Sequence, residues 1–217
     1  MKSRLWDGPT RVVHWALVAC LGLSWWTAET DHLEWHRWSG YSALGLLIFR
    51  IVWGFAGSAT SRFSHFLKGP ATTAAYVGTL GSRETSQAVG HNPLGALSVV
   101  AILLSLVVQV SAGLFAVDVD GFESGPLSYL VSFDQGRLAS KIHSISFTIL
   151  QILAALHVVA IVFYLIWKRT NLIGPMITGR RAFATEQTLA FASWKRVVLV
   201  AVVAFIAMAW ISKGLKF

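Results

Sequence analysis

The chain has 217 residues, 55% of them hydrophobic and only 13% charged, with a mean hydropathy of +0.61, a composition that excludes a soluble globular domain. The formal net charge of +8 does not point to nucleic acid, because the basic residues flank long apolar runs as membrane topology signals do. The single cysteine, Cys20, excludes an internal disulfide, and no CxxCH is present for covalent haem attachment.

Five spans are predicted in chain order. The first, at about 12–28, follows Lys2 and Arg4 and carries His14 near its start. The stretch Ser24-Trp25-Trp26-Thr27-Ala28 lacks an A-x-A-like cleavage site, so an uncleaved signal anchor is expected. Cys20 sits inside this span as a small packing residue. The second span, at about 37–56, opens just after His36 and contains Arg50. The loop 57–93 holds an amphipathic stretch, Arg62 to Leu67, expected to rest on the membrane surface. The third span lies at about 94–117. A long acidic loop, 118–141, is punctuated by glycine and proline, and such loops often carry function. The fourth span, at about 142–167, contains His143 and His157. The fifth, at about 194–212, is the shortest, with Lys195 and Arg196 reaching the interface. Irregular backbone cannot face lipid, so all five are read as helices.

With the N-terminus cytoplasmic, only Arg37, Arg137, Lys141, Lys213 and Lys216 of the 18 basic residues fall outside. That bias sets the orientation. All the acids except Asp7, Glu84 and Glu186 then lie outside.

Histidine is costly in a bilayer and marks function there. His143 and His157 are 14 residues apart, four turns at the 3.5-residue period of packed membrane helices, so they share a face. They sit about 21 Å apart along the axis. Because successive spans alternate in direction, His36 matches His143 at the outer side and His14 matches His157 at the inner side. Two facing imidazoles at one depth suit bis-histidine haem iron, which transfers electrons without an open coordination position. The fold class expected is therefore an all-α membrane protein: a four-helix transmembrane bundle binding two haems, plus a fifth C-terminal helix. Residues 1–180 form the di-haem domain and 181–217 add the fifth helix. Gly40 and Gly22 leave room for a flat macrocycle beside a helix, and Arg50, 14 residues after His36, is placed to meet a haem propionate. His32, His36 and Glu29 offer a rival zinc or proton site that lacks further ligands. His65 and His91 are read as solvated or capping residues. There is no GxGxxG, Walker loop, HExxH or GxSxG, so flavin, nucleotide and hydrolytic sites are unsupported.

Four stretches carry a family resemblance: RVVHW (11–15), WHRWSGYSALGLLIFRIVWGFAG (35–57), GHNPLGALSVVAILLSLVVQVSAGLF (90–115) and HSISFTILQILAALHVVAIVFYLIWKRTNLIGPMITG (143–179). The chain resembles the prokaryotic di-haem cytochrome b561 group, which includes the cytochrome b subunits of nickel–iron hydrogenases. The resemblance implies four core helices and two haem b groups ligated by His14, His36, His143 and His157. It also implies electron transfer in a bacterial inner membrane between the quinone pool and a periplasmic c-type cytochrome or redox enzyme subunit. Two alternatives stand beside it. One is a superoxide:quinone oxidoreductase acting at the periplasmic face. The other is a haem-containing membrane anchor for a hydrogenase or dehydrogenase.

Overall fold

Short polar motifs start three of the long helices. In Asp7-Gly8-Pro9-Thr10 the Asp7 carboxylate accepts from the Thr10 amide at 2.9 Å, and proline suits the first turn. Helix α1 (Gly8–Glu29) begins there and is followed by α2 (Leu33–Ala56). A 3₁₀ turn (Ala59–Ser61), α3 (Phe63–Phe66) and α4 (Pro70–Gly78) occupy the stretch expected to be a surface loop. Helix α5 (Pro93–Phe115) is capped by Asn92, whose Oδ1 accepts from the Gly95 amide at 2.8 Å. This gives part of the GHNPLG motif a local role: asparagine at the cap, proline at the first helical position.

Helix α6 (Phe133–Ile166) starts well before the expected residue 142. The reason is a capping box, Ser132-Phe133-Asp134-Gln135. The Ser132 amide donates to Gln135 Oε1 at 2.9 Å and the Gln135 amide to Ser132 Oγ at 3.3 Å. The chain ends with α7 (Ile173–Thr178), a short strand, and α8 (Trp194–Ser212). The computed structural model describes residues 1–83, 88–120 and 123–216. Among them, α2, α5, α6 and α8 are long and apolar enough to cross a membrane. Helix α1, with 22 residues, spans about 33 Å. It falls outside that apolar class because Arg11, His14 and its tryptophans dilute the run.

The chain divides into two compact units. One comprises Met1–His14, Arg50–Ala101 and Leu153–Leu199. Here β1 (Lys2–Arg4) pairs antiparallel with β2 (Arg180–Ala182), Ser3 facing Arg181. Neither strand is visible in the sequence, because Lys-Ser-Arg and Arg-Arg-Ala are too short to show an apolar alternation and depend on a partner far along the chain. Gly179, with φ of 78°, ends α7, and its carbonyl accepts from the amides of Leu5 (2.8 Å) and Trp6 (3.2 Å). A Cβ at Gly179 would lie 2.9 Å from the Trp6 carbonyl oxygen, so only glycine fits. Leu5, Trp6 and Phe183 form a core, with Met176 and Leu189 against it. Three buried polar contacts tie this unit together: Trp53 Nε1 donates to Asp7 Oδ2 at 3.0 Å, Thr60 Oγ1 to the Leu5 carbonyl at 2.8 Å, and Thr10 and Ser61 share a hydroxyl bond of 2.7 Å.

The other unit comprises Trp15–Phe49, Ile102–Ile152 and Val200–Phe217. Ser24 on α1 and Ser39 on α2 are joined by a 2.6 Å hydroxyl bond, and Trp25 meets Phe147 of α6 edge-on at 6.2 Å. The described part of the acidic loop is folded back on its flanking helices. Val117 bridges Ser124, the Leu127 amide donates to the Leu114 carbonyl at 2.9 Å, and Arg137 donates to the Val117 carbonyl at 2.9 Å. A 3₁₀ turn at Ser128–Leu130 completes it.

Candidate functional site

The histidines singled out in the sequence meet in two pairs, one in each unit. In the second unit His36 of α2 and His143 of α6 have ring centroids 6.0 Å apart with planes at 80°. In the first, His14 of α1 and His157 of α6 are 6.4 Å apart at 52°. An imidazole nitrogen lies about 1.1 Å from its ring centre and metal–imidazole bonds are about 2 Å. Two rings ligating one metal from opposite sides therefore have centres about 6.3 Å apart, and both pairs match that spacing.

The His36–His143 pair has further marks of a ligand site. His36 Nδ1 lies 2.9 Å from the Ser24 carbonyl, and His143 Nδ1 lies 2.8 Å from the Gln109 carbonyl. Each Nδ1 thus donates to main chain, which makes Nε2 the acceptor nitrogen, the tautomer that metal-binding histidines use; the His143 Nε2 faces the Gln109 side-chain amide at 3.1 Å. A cavity of about 740 Å³ opens on both rings, within the range of small-molecule sites. Gly40 and Gly113 line it. A Cβ at Gly40 would meet no protein atom within 4 Å, whereas one at Gly113 would lie 2.9 Å from the His143 ring. One glycine leaves space beside the helix, and the other gives the ring its seat. The open space and the two facing imidazoles would suit a flat macrocycle.

Arg50 lies in the unit of His14 and His157 and is 7% exposed. The sequence leaves it in need of an anion, and the structure supplies the Asp7 carboxylate, which acts on it electrostatically. Its guanidinium also sits 5.4 Å from the Phe63 ring centre and 3.5 Å from the Ser61 carbonyl. His91 is not solvated. Its ring packs against Trp6 at 4.8 Å and Phe66 at 4.6 Å, and Nδ1 is buried without a hydrogen-bond partner among the described residues. Burial pushes its imidazole down to about 3, helped by Arg50, His157 and His14, so it is neutral at ordinary pH. His32 turns to Trp26 at 5.9 Å. Among the described residues no group of three or more His, Cys, Asp or Glu gathers at one point.

Gln109 escaped the sequence reading. Its signal is that of a lone amide in an apolar span, the only one in α5.

A family profile described as prokaryotic cytochrome b561 matches residues 5–179. No curated protein and no solved structure matches the chain.

Proposed function

The chain belongs to the prokaryotic cytochrome b561 family, and from that premise we propose that it carries electrons across the membrane through two b-type haems. One is held by His36 and His143, the other by His14 and His157. The route joins the quinone pool to a periplasmic c-type cytochrome or redox enzyme subunit. The observation that carries this reading is the pairing of four imidazoles at 6.0 and 6.4 Å. Haem b, when bound, would supply a centre that takes up and gives back one electron.

The protein's own residues bind, orient and tune. The Ser24 and Gln109 carbonyls fix the tautomers of His36 and His143. Gly40 and Gly113 shape the cavity around them. Arg50 places a buried cation in the unit of His14 and His157. A cation there favours the less positive, reduced state, and a propionate would be a second anion for it beside Asp7. The basic bias of the loops sets the N-terminus on the cytoplasmic side.

The test is a pyridine haem assay with reduced-minus-oxidised spectra on purified protein. Wild type is expected to hold two haem b. Alanine at His36 or His143 removes one, and alanine at His14 or His157 removes the other. Retention of both haems in any single variant rejects the ligand assignment.

A second reading, superoxide:quinone oxidoreductase, has one observation in its favour. Arg37, Lys213 and Lys216 line a basin of about 440 Å³ that shares Arg37 and Tyr41 with the wall of the histidine cavity. Positive charge there steers an anion, although Arg37 is already paired with Glu123. Stopped-flow mixing with superoxide separates the readings: reduction of the haems at a diffusion-influenced, salt-dependent rate supports the second.

A further inference from the structure

The two-stranded ribbon of β1 and β2 carries charges that its own unit does not neutralise. In the register of the pair, Arg4 stands directly opposite Arg180, and Lys2 opposite Ala182. Opposite residues, and residues two apart on one strand, share a face. Lys2, Arg4 and Arg180 therefore present three cations on one side, all of them exposed. The Cβ atoms of a directly opposed pair are about 5 Å apart, and like charges there are destabilising. None of the three makes an ion pair among the described residues. Of the described acids in this unit, Asp7 is buried on Trp53 Nε1 and Glu186 makes no ion pair. The other face of the ribbon is fixed: Ser3 is buried, and its hydroxyl accepts from the Gln187 amide at 3.0 Å. Phe191 holds the Arg4 guanidinium 4.2 Å from its ring centre.

We propose that this face is a docking site for the phosphate of an anionic phospholipid in the leaflet beside the N-terminus. The ribbon's first strand ends at Arg4 and α1 begins at Gly8. Four residues, about 14 Å at full extension, thus separate the cations from a helix read as spanning the membrane. That distance is on the order of the ~8–10 Å over which a charged lipid surface is felt. Phosphate oxygens suit the forked guanidinium donors of arginine, and their charge relieves the repulsion between Arg4 and Arg180. A protein partner fits less well. Two three-residue strands about 4.8 Å apart offer on the order of 100 Å², against ~800 Å² per partner in a stable interface. The inference stands apart from haem ligation. Cations placed here only to set topology make a different prediction: loss of any nearby positive charge would then weaken the lipid response equally.

The experiment places the full-length protein in nanodiscs of phosphatidylcholine with rising fractions of phosphatidylglycerol and follows thermal unfolding by circular dichroism. The wild-type midpoint is expected to rise with phosphatidylglycerol and then level off. Arg180→Gln needs an about fivefold higher phosphatidylglycerol fraction for half of that rise, the share of one basic residue at an anionic surface. In phosphatidylcholine alone the same variant unfolds at a higher temperature than wild type, because the opposed pair is gone. Lys195→Gln, which instead removes an exposed cation at the start of α8, keeps the wild-type response. Equal responses in Arg180→Gln and Lys195→Gln overturn the inference, as does a wild-type midpoint indifferent to phosphatidylglycerol. Two soluble probes, added to the phosphatidylcholine sample, test the source of the anion. Inorganic phosphate reproducing the whole rise overturns the lipid assignment in favour of a free anion, and poly-glutamate doing so overturns it in favour of an acidic protein partner. If Arg180→Gln does not fold, Lys2→Gln on the same face carries the comparison.

Discussion

Around His36 and His143 the protein leaves open space, bounded by glycines and main-chain carbonyls. The unit that holds His14 and His157 is instead filled with paired polar side chains and aromatic rings: Asp7 on Trp53, Thr10 on Ser61, Thr60 on Leu5, and His91 between Trp6 and Phe66. The ring spacings are nearly equal. The difference teaches that one ring spacing can be held in two ways. In the first pair, hydrogen bonds from each Nδ1 to a helix carbonyl set the rings directly. In the second, a buried cation and its carboxylate lie in the same unit as the rings, which makes that pair the more exposed to electrostatic change.

The contrast breaks most sharply at the glycines. Gly113→Val puts atoms where the His143 ring lies, and Gly40→Phe fills the cavity wall. Each is expected to remove the His36–His143 haem and spare the other, read as loss of one of two haems in the pyridine assay. Equal loss of both would mean that the two sites are not independent.

Next in size is Asp7→Ala. It deletes the cap of α1 and leaves Trp53 Nε1 buried without its acceptor, at a cost of about 2–3 kcal/mol. Thermal unfolding in detergent should drop accordingly, with the spectrum of the His36–His143 haem retained until the transition.

His91 gives a pH signature to its own unit. Its folded value, about 3, lies below the ordinary 6.5. The unfolded chain therefore binds a proton in that window that the folded chain does not. Stability is fully present above about pH 6.5 and is lost as pH falls toward about 3, by up to about 1.4 kcal/mol per pH unit. His91→Phe keeps the ring stack and removes the proton, so its stability is expected to depend less steeply on pH across that window. Parallel acid titrations of the two proteins by circular dichroism would refute the assignment.

The smallest effect belongs to Arg37 and Glu123, a half-exposed ion pair near the mouth of the cavity. Glu123→Gln should change stability by about 0.5 kcal/mol or less, checked by the same thermal measurement.

Much of this arrangement is legible from hydropathy and spacing, because the bilayer leaves helices little choice of partner or direction. The long helices, the four histidines and the proximity of each pair follow from periodicity and from alternation of the spans. Three things do not. The early start of α6 depends on a reciprocal bond between Ser132 and Gln135, a local motif overlooked among the turn residues. The enclosure of His91 depends on Trp6 and Phe66, rings brought in from distant segments. The acid beside Arg50 is Asp7, 43 residues earlier in the chain, and no spacing rule on α2 reaches it.

The pairing of Ser3 with Arg181 has a consequence for biogenesis. Residues 2–4 leave the ribosome long before residues 180–182 exist, and at about 5–20 residues per second the delay is on the order of ten to thirty seconds. During that interval the segment bearing His14 is already made, yet its closing strand is not. Closure of the strand pair in the unit of His14 therefore waits for residue 182, whereas every residue of the His36–His143 cavity wall has emerged some thirty residues sooner.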